Sequence, residues 1–289
     1  MKKIVVRLIG MYLNLLAWVA PRAAGRKGFY LFCIPQRVSV KQHQQTFLGA
    51  AENFSFESEG TVLRAYRWGN GPKKILFLHG WQSHTFRWKN YVESFPTEEY
   101  SLYAFDAPAH GQSGGKYLNL PLYSKAIESF FEVVSPVHTV VSHSLGSLAM
   151  LYSLFRFPEL PVRQLAITGI PGEVSEFLTF YQQILGLSNR VMKAIYQVFD
   201  ELIQHQPEYF SAVRFAQAIT IPLLIIHDEH DDETPYHHAR RIHEVVKGSR
   251  LITTSGLGHN LRSVQVVKHI NDFVGQAVSD EKTAELLGR

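Results

Sequence analysis

Ser144 sits in the string Ser142-His143-Ser144-Leu145-Gly146, a serine held among small residues. A serine hydroxyl is a weak nucleophile by itself. It attacks a carbonyl carbon readily only when a histidine takes its proton and a carboxylate orients that histidine. Two later segments supply such partners. One is the acidic loop Asp228-Glu229-His230-Asp231-Asp232-Glu233-Thr234-Pro235, and the other is Ser255-Gly256-Leu257-Gly258-His259-Asn260. The order along the chain is serine, acid, histidine, and the chemistry open to such a set is acyl transfer through a covalent intermediate. The string around Ser144 is close to the G-x-S-x-G pattern of a nucleophile elbow, with Ser142 in place of the first glycine. So loose a string occurs by chance in many proteins, and its weight comes from the elements on either side.

Those elements read clearly. Residues 137–142, Val-His-Thr-Val-Val-Ser, read as a strand ending at the elbow, and a helical pattern runs from Leu145 to about Phe155. Further strands are expected at 53–58 and 61–68, joined by a Glu59-Gly60 turn, and at 74–78, 101–105, 165–169, 221–227 and 250–254. Helices are expected near 122–134, 236–247 and 260–275. Strands alternating with helices of this length imply βαβ crossovers and a mostly parallel sheet covered on both faces. Asp231 and His259 each fall just after a strand, as Ser144 does, and that edge of a parallel sheet is where sites form.

The interval from Ile170 to Ile221 is longer than a crossover needs. It carries two helical patterns, one with Phe177, Leu178, Tyr181, Ile184 and Leu185, the other with Val191, Met192, Ile195, Val198, Phe199, Leu202 and Ile203. Their apolar residues exceed what two short helices can bury against each other. A helical insertion above the catalytic edge is expected, with Phe180, Tyr196 and Phe199 contacting substrate.

Four segments resemble the α/β-hydrolase superfamily over roughly residues 53–276. They are Leu78-His79-Gly80-Trp81, Asp106-Ala107-Pro108-Ala109-His110-Gly111-Gln112-Ser113, the elbow, and Gly256 to His259. The resemblance implies an α/β-hydrolase fold with a helical cap inserted after the sixth strand. It implies Ser144 as nucleophile, His259 as base and Asp231 as acid, with Asp228 and Asp232 as competitors for the last role. It implies an oxyanion hole from the backbone N–H groups of Trp81 and Leu145. Ser142 and Ala109 stand where the family has glycine, and Asp228 replaces another. The expected organisation is an N-terminal helical extension over 1–50, a hydrolase core over 51–173 and 218–289, and a cap over 174–217. The expected activity is cleavage of a carboxylic ester or thioester, without cofactor or metal. Acyl transfer, amide hydrolysis, C–C bond hydrolysis and non-catalytic ligand binding are the other functions this frame supports.

Composition excludes other classes. With 289 residues and 46% hydrophobic content, the chain can bury a full core. Its single cysteine, Cys33, permits no internal disulfide and reads as a small buried hydrophobe. A net charge of +4 with scattered basic residues gives no nucleic-acid stripe. His79 and His110 read as structural, bonding loop backbone. His227, His230, His237 and His238 raise a metal site, although the acid loop already accounts for that segment. Residues 4–20 read as a broadly apolar helix with a stripe of Lys3, Arg7, Gly10 and Asn14, stopped by Pro21. Such a helix packs on the domain, lies in a membrane interface, or belongs to a cleaved signal. The expected partner is a small ester-like substrate, and the expected location is cytoplasmic, with peripheral membrane contact through this helix as the alternative.

Overall fold

The computed structural model describes residues 2–286, with side-chain surroundings for 4–276. Met1 and residues 287–289, at the ends of the expected extension and core, lie outside it.

Eight strands form one sheet: β1 (Glu52–Ser58), β2 (Thr61–Trp68), β3 (Lys73–Leu78), β4 (Tyr100–Phe105), β5 (Val137–His143), β6 (Val162–Thr168), β7 (Leu223–Asp228) and β8 (Arg250–Thr254). Their spatial order is β1-β2-β4-β3-β5-β6-β7-β8. β1 and β2 make an antiparallel hairpin, and β2 pairs antiparallel with β4. The hairpin turns on Glu59 and Gly60, both at positive φ as a two-residue turn of this twist requires. From β4 to β8 every pairing is parallel. β4, β5 and β7 are buried along their whole length, so they show no alternation of buried and exposed residues, and even their polar members Ser101, His138 and Thr139 are buried. The chain winds from β3 to β4 in one direction and to β5 in the other. The carboxyl ends of β3 and β5 therefore flank the switch point, where a crevice opens.

The helices are α1 (Lys2–Val19), α2 (Pro21–Cys33), α3 (Gln42–Gly49), α4 (Lys89–Val92), α5 (Leu120–Val133), α6 (Leu145–Arg156), α7 (Val174–Leu185), α8 (Asn189–Val198), α9 (Ala212–Ala216), α10 (His237–Val245) and α11 (Val264–Leu286). α5 begins at Asn119, whose side chain accepts the Leu122 N–H, and buries Tyr123, Ile127, Phe130 and Phe131. α6 is buried along nearly its whole length, as its apolar sequence demands. α7, α8 and α9 fill the long interval between β6 and β7. Among the described residues no helix is long and apolar enough to cross a membrane.

Four helices escape the sequence pattern: α2, α3 and the very short α4 and α9. Pro21 ends α1, as expected, but it also starts α2, because a proline at the first helical position loses no hydrogen bond. α3, Gln-His-Gln-Gln-Thr-Phe-Leu-Gly, is too short and polar to show a period. The N-terminal helices pack on the inserted ones. A Cβ on Gly10 of α1 would come 1.7 Å from the Leu185 carbonyl oxygen of α7, and one on Gly25 of α2 would come 2.5 Å from that of Ala194 in α8. Asn14 donates to the Gly186 carbonyl and accepts the Ser188 N–H, tying α1 to the turn between α7 and α8.

This packing generates a test. Gly10→Ala is expected to lower stability by about 1–3 kcal/mol, because a backbone oxygen cannot swing aside and the clash outweighs the helix propensity gained. Gly49→Ala, at a position with open space around it, is expected to be neutral or slightly stabilising. Denaturant melts and limited proteolysis of α1 measure both.

Candidate active site

The turn between β5 and α6 holds Ser144 at φ 53 and ψ −124, a conformation that L-residues avoid. Such strain costs on the order of 1–3 kcal/mol and persists only where the surroundings enforce it. They do so here. The Ser144 N–H donates to the Thr168 carbonyl, and its own carbonyl accepts the N–H groups of Ser147 and Leu148. A Cβ on Gly146 would come 2.6 Å from the carbonyl oxygens of Leu78 and His79, and one on Gly80 would come 2.8 Å from the Ser144 Cβ. The end of β3 is thus pressed against the elbow from two sides. Ser142 points into the sheet, its hydroxyl 3.3 Å from the Ala166 carbonyl, so a hydroxymethyl fits where the motif has glycine.

Three elements bring the serine, the acid and the histidine together. His259 Nε2 lies 3.0 Å from the Ser144 hydroxyl, and its Nδ1 lies 2.8 Å from Asp231 Oδ2. Asp231 is buried and its other oxygen accepts the N–H groups of Glu233 and Thr234. The Thr234 hydroxyl donates to Oδ2, and His227 Nε2 stands 3.4 Å from the same oxygen. Burial alone would raise this carboxyl's pKa. The hydrogen bonds from His227, His259 and the Thr234 N–H outweigh burial and hold it far below the ordinary carboxylate range. Asp228 has a different task. It is buried at the end of β7 and accepts the N–H groups of His230, Gly256 and Leu257 and the Thr254 hydroxyl. It therefore pins the loop that carries His259 and does not reach the imidazole. Asp232 is exposed.

The loop after β3 presents Trp81 beside Ser144, and Leu145 opens α6 with an N–H that has no partner one turn back. Two neutral histidines brace that loop. His79 Nε2 accepts the Ala107 N–H while its Nδ1–H donates to the Gly80 carbonyl. His110 Nε2 accepts the Gln82 N–H while its Nδ1–H donates to the Pro108 carbonyl. A ring nitrogen that accepts a backbone N–H carries no proton, so both rings are neutral. Burial lowers His79 to about 3 and also lowers His84 and His110. His143, next to Ser144, donates from Nε2 to the His259 carbonyl, and burial followed by the Arg87 charge depresses it strongly.

Above the serine lies a cavity of about 970 Å³. Of the three aromatic residues expected to contact substrate, Phe180 and Phe199 line it. Tyr196 does not. It faces away from the cavity, and its hydroxyl donates to Glu208 at 2.8 Å. The surplus of apolar residues in the insertion put it among the expected substrate contacts, but its hydroxyl found a carboxylate within the same segment. Phe32 and Cys33 of α2 form part of the wall, a contribution hidden from sequence because α2 itself was not legible. Burial pushes the Cys33 thiol up to about 12, so it behaves as an apolar wall group. Arg87, Asn260 and Arg262 supply a polar side. Of the histidines that raised a metal site, His227 is engaged with the Thr234 carbonyl and His230 is exposed. His237 and His238 do gather with Glu176, their ligand-type atoms all within 4.8 Å, and His238 Nε2 lies 2.9 Å from Glu176.

The family model of the alpha/beta hydrolase family matches residues 75–266. No curated protein matches the sequence. Solved structures match throughout the fold at low identity. An esterase of Rhodococcus sp. ECU1013 is 14% identical with a TM-score of 0.59, over 77% of this chain and 98% of that one. An esterase of Pyrococcus furiosus is 19% identical at 0.62, over 84% and 96%. A bromoperoxidase of Bacillus anthracis is 15% identical at 0.57, over 80% and 100%.

The two buried carboxylates are separable by mutation. Asp231→Asn is expected to leave the fold intact and lower turnover by up to about four orders of magnitude, because the imidazole loses its orienting acceptor. Asp228→Asn is expected to cost about 2–3 kcal/mol of stability through weakened charge-assisted hydrogen bonds, with a smaller effect on turnover per folded molecule. Urea melts beside active-site titration distinguish them.

The buried histidines set a pH dependence. Each of His79, His84, His110 and His143 has a lower pKa folded than unfolded, so the unfolded chain binds more protons below about pH 6.5. Stability is expected to be full above that pH and to fall below it, by up to about 1.4 kcal/mol per pH unit for each fully buried ring. Melting temperatures measured from neutral pH down to about pH 5 record the fall.

Proposed function

The chain belongs to the alpha/beta hydrolase family, and on that premise we propose that it is a serine hydrolase cleaving a carboxylic ester or thioester. The observation that carries this reading is the continuous chain from Asp231 through His259 to Ser144, at 2.8 and 3.0 Å, on a backbone turn held in strain. The Ser144 oxygen attacks the substrate carbonyl carbon as His259 Nε2 takes its proton. Asp231, held ionised by its donors, stabilises the imidazolium that results. The carbonyl oxygen, now an anion, accepts hydrogen bonds from the Trp81 and Leu145 N–H groups, each worth roughly 3 kcal/mol in such sites. His259 then gives its proton to the departing alcohol or thiol. Water repeats the sequence on the acyl-enzyme and releases the acid.

The segment from 174 to 217 acts as a cap in this reading, and the cavity beneath it suits an apolar acyl chain. Phe177 and Phe180 from α7, Phe199, and Leu148 beneath them provide the wall.

Fluorophosphonate labelling of the folded protein is expected to modify Ser144, and Ser144→Ala is expected to abolish it. In a p-nitrophenyl ester series, rates are expected to rise from acetate to medium chains. Phe180→Ala is expected to lower kcat/KM on the medium chains about fivefold to tenfold and leave acetate little changed, as the loss of partial apolar contact predicts. Tyr196→Ala, off the cavity, is expected to leave the profile unmoved.

A further inference from the structure

α1 is docked with its apolar surface outward. Gly10, Leu13 and Ala17 face the protein, and Asn14 bonds the turn beneath. Ile4, Val5, Leu8, Met11, Tyr12, Leu15, Trp18 and Val19 are all exposed, Leu15 at 70%, Trp18 at 72% and Val19 at 82%. A helix packed for a watery surface would show the reverse.

Within the N-terminal segment the charge has one sign, and a carboxylate from outside it, Glu201, pairs with Arg26 at 3.4 Å. The first 51 residues hold eight Lys and Arg and no Asp or Glu, and the remainder of the chain is net acidic. Arg7, Arg22 and Lys27 are exposed. Arg190 of α8 lies 4.0 Å over the Trp18 ring, and Lys27 lies 6.0 Å from the Tyr12 ring. Aromatic rings beside basic groups on an apolar helix suit the headgroup layer of a bilayer. A second copy of this chain, related by a two-fold axis, would set the same cations against each other.

The face also leads to the cavity. Arg7 and Met11 share a surface depression with Ile184 of α7. Ile184 and Phe180 are exposed and also line the cavity above Ser144. Apolar surface thus continues from α1 to the cavity's lip.

We propose that the outward face of α1 and the exposed edge of α7 form a docking surface for an anionic bilayer, which sets the cavity's lip against the membrane. Resting on the hydrolase reading, this names the substrate class as acyl esters or thioesters held in a membrane. α1, about 27 Å long, would lie in the plane of the interface. An acyl chain could then pass from the bilayer along Ile184 and Phe180 without crossing water.

Vesicle flotation tests the surface independently of catalysis. The wild-type protein is expected to float with phosphatidylcholine vesicles containing about 30% phosphatidylglycerol, and more weakly with phosphatidylcholine alone. The double variant Leu15→Glu/Trp18→Glu is expected to lose at least about tenfold in bound fraction. Arg22→Glu/Lys27→Glu is expected to lose the preference for anionic vesicles. The Leu15→Glu/Trp18→Glu protein should hydrolyse soluble p-nitrophenyl butyrate at the wild-type rate and a vesicle-borne ester at least about tenfold more slowly. Wild-type protein that stays unbound overturns the proposal, as does a double variant that floats like wild type. A dimer in sedimentation that the double variant dissolves, without vesicle binding, assigns the face to a second copy and also overturns it. Vesicle binding through α1 by a protein that cleaves no ester keeps the docking surface and refutes the hydrolase reading. A soluble esterase indifferent to vesicles does the opposite.

Discussion

Ser144 occupies a backbone conformation that a free serine would leave, and the middle of the sheet is arranged to prevent it. The hydrogen bond to Thr168 holds the turn from β6, and the close approach of Gly80 and Gly146 holds it from β3. Because the strands on either side are in parallel register, Leu78 opposite Ser142 and His143 opposite Thr168, these contacts come from rigid elements. A strained turn survives only in so determined a setting. The serine oxygen is thereby fixed at the switch point of the sheet, and every other part of the candidate site is placed relative to it.

The acid loop shows how two similar carboxylates are given different work by their donors. Asp228 ends β7 and Asp231 follows it in the next turn, and both are buried. Asp228 is saturated by donors from its own loop and from the loop after β8, so it joins the two loops. Asp231 keeps one oxygen for backbone donors and turns the other to His259. The buried histidines follow a related logic. His79 and His110 accept backbone N–H groups and so must be neutral, which makes them braces for the loop beside Ser144. The same neutrality makes the fold sensitive to acid.

The N-terminal helices join the cavity and the surface. α2 gives Phe32 and Cys33 to the cavity wall, and α1 lies against α7 through Gly10. Of the stripe of Lys3, Arg7, Gly10 and Asn14 that sequence periodicity separates from the apolar surface, Gly10 and Asn14 turn inward, because one removes bulk where α1 meets Leu185 and the other satisfies a turn, while Arg7 stays exposed and the Lys3 side chain lies outside the described residues. The apolar surface is left facing out. A reading that sends polar residues to solvent misses this, since an inter-helix contact can require a glycine or an amide as readily as a leucine.

The strands, their order, and the position of Ser144, Asp231 and His259 after three of them are local properties. Apolar runs of the right length and small residues at the turns encode them, so the α/β-hydrolase fold was visible in the chain. Short polar α3 and proline-started α2 were not, because neither carries a periodic apolar signal of its own. The task of Asp228 was also hidden, since it depends on which backbone N–H groups a distant loop delivers. The direction of Tyr196 was hidden for a similar reason, as its hydroxyl is drawn to Glu208 by packing within the inserted helices. Sequence determined what each segment becomes and the edge of the sheet at which its reactive residues emerge. Only the tertiary structure decided which carboxylate meets the histidine, which aromatic rings reach the cavity and which face of α1 is left exposed, because each of those depends on contacts between residues far apart in the chain.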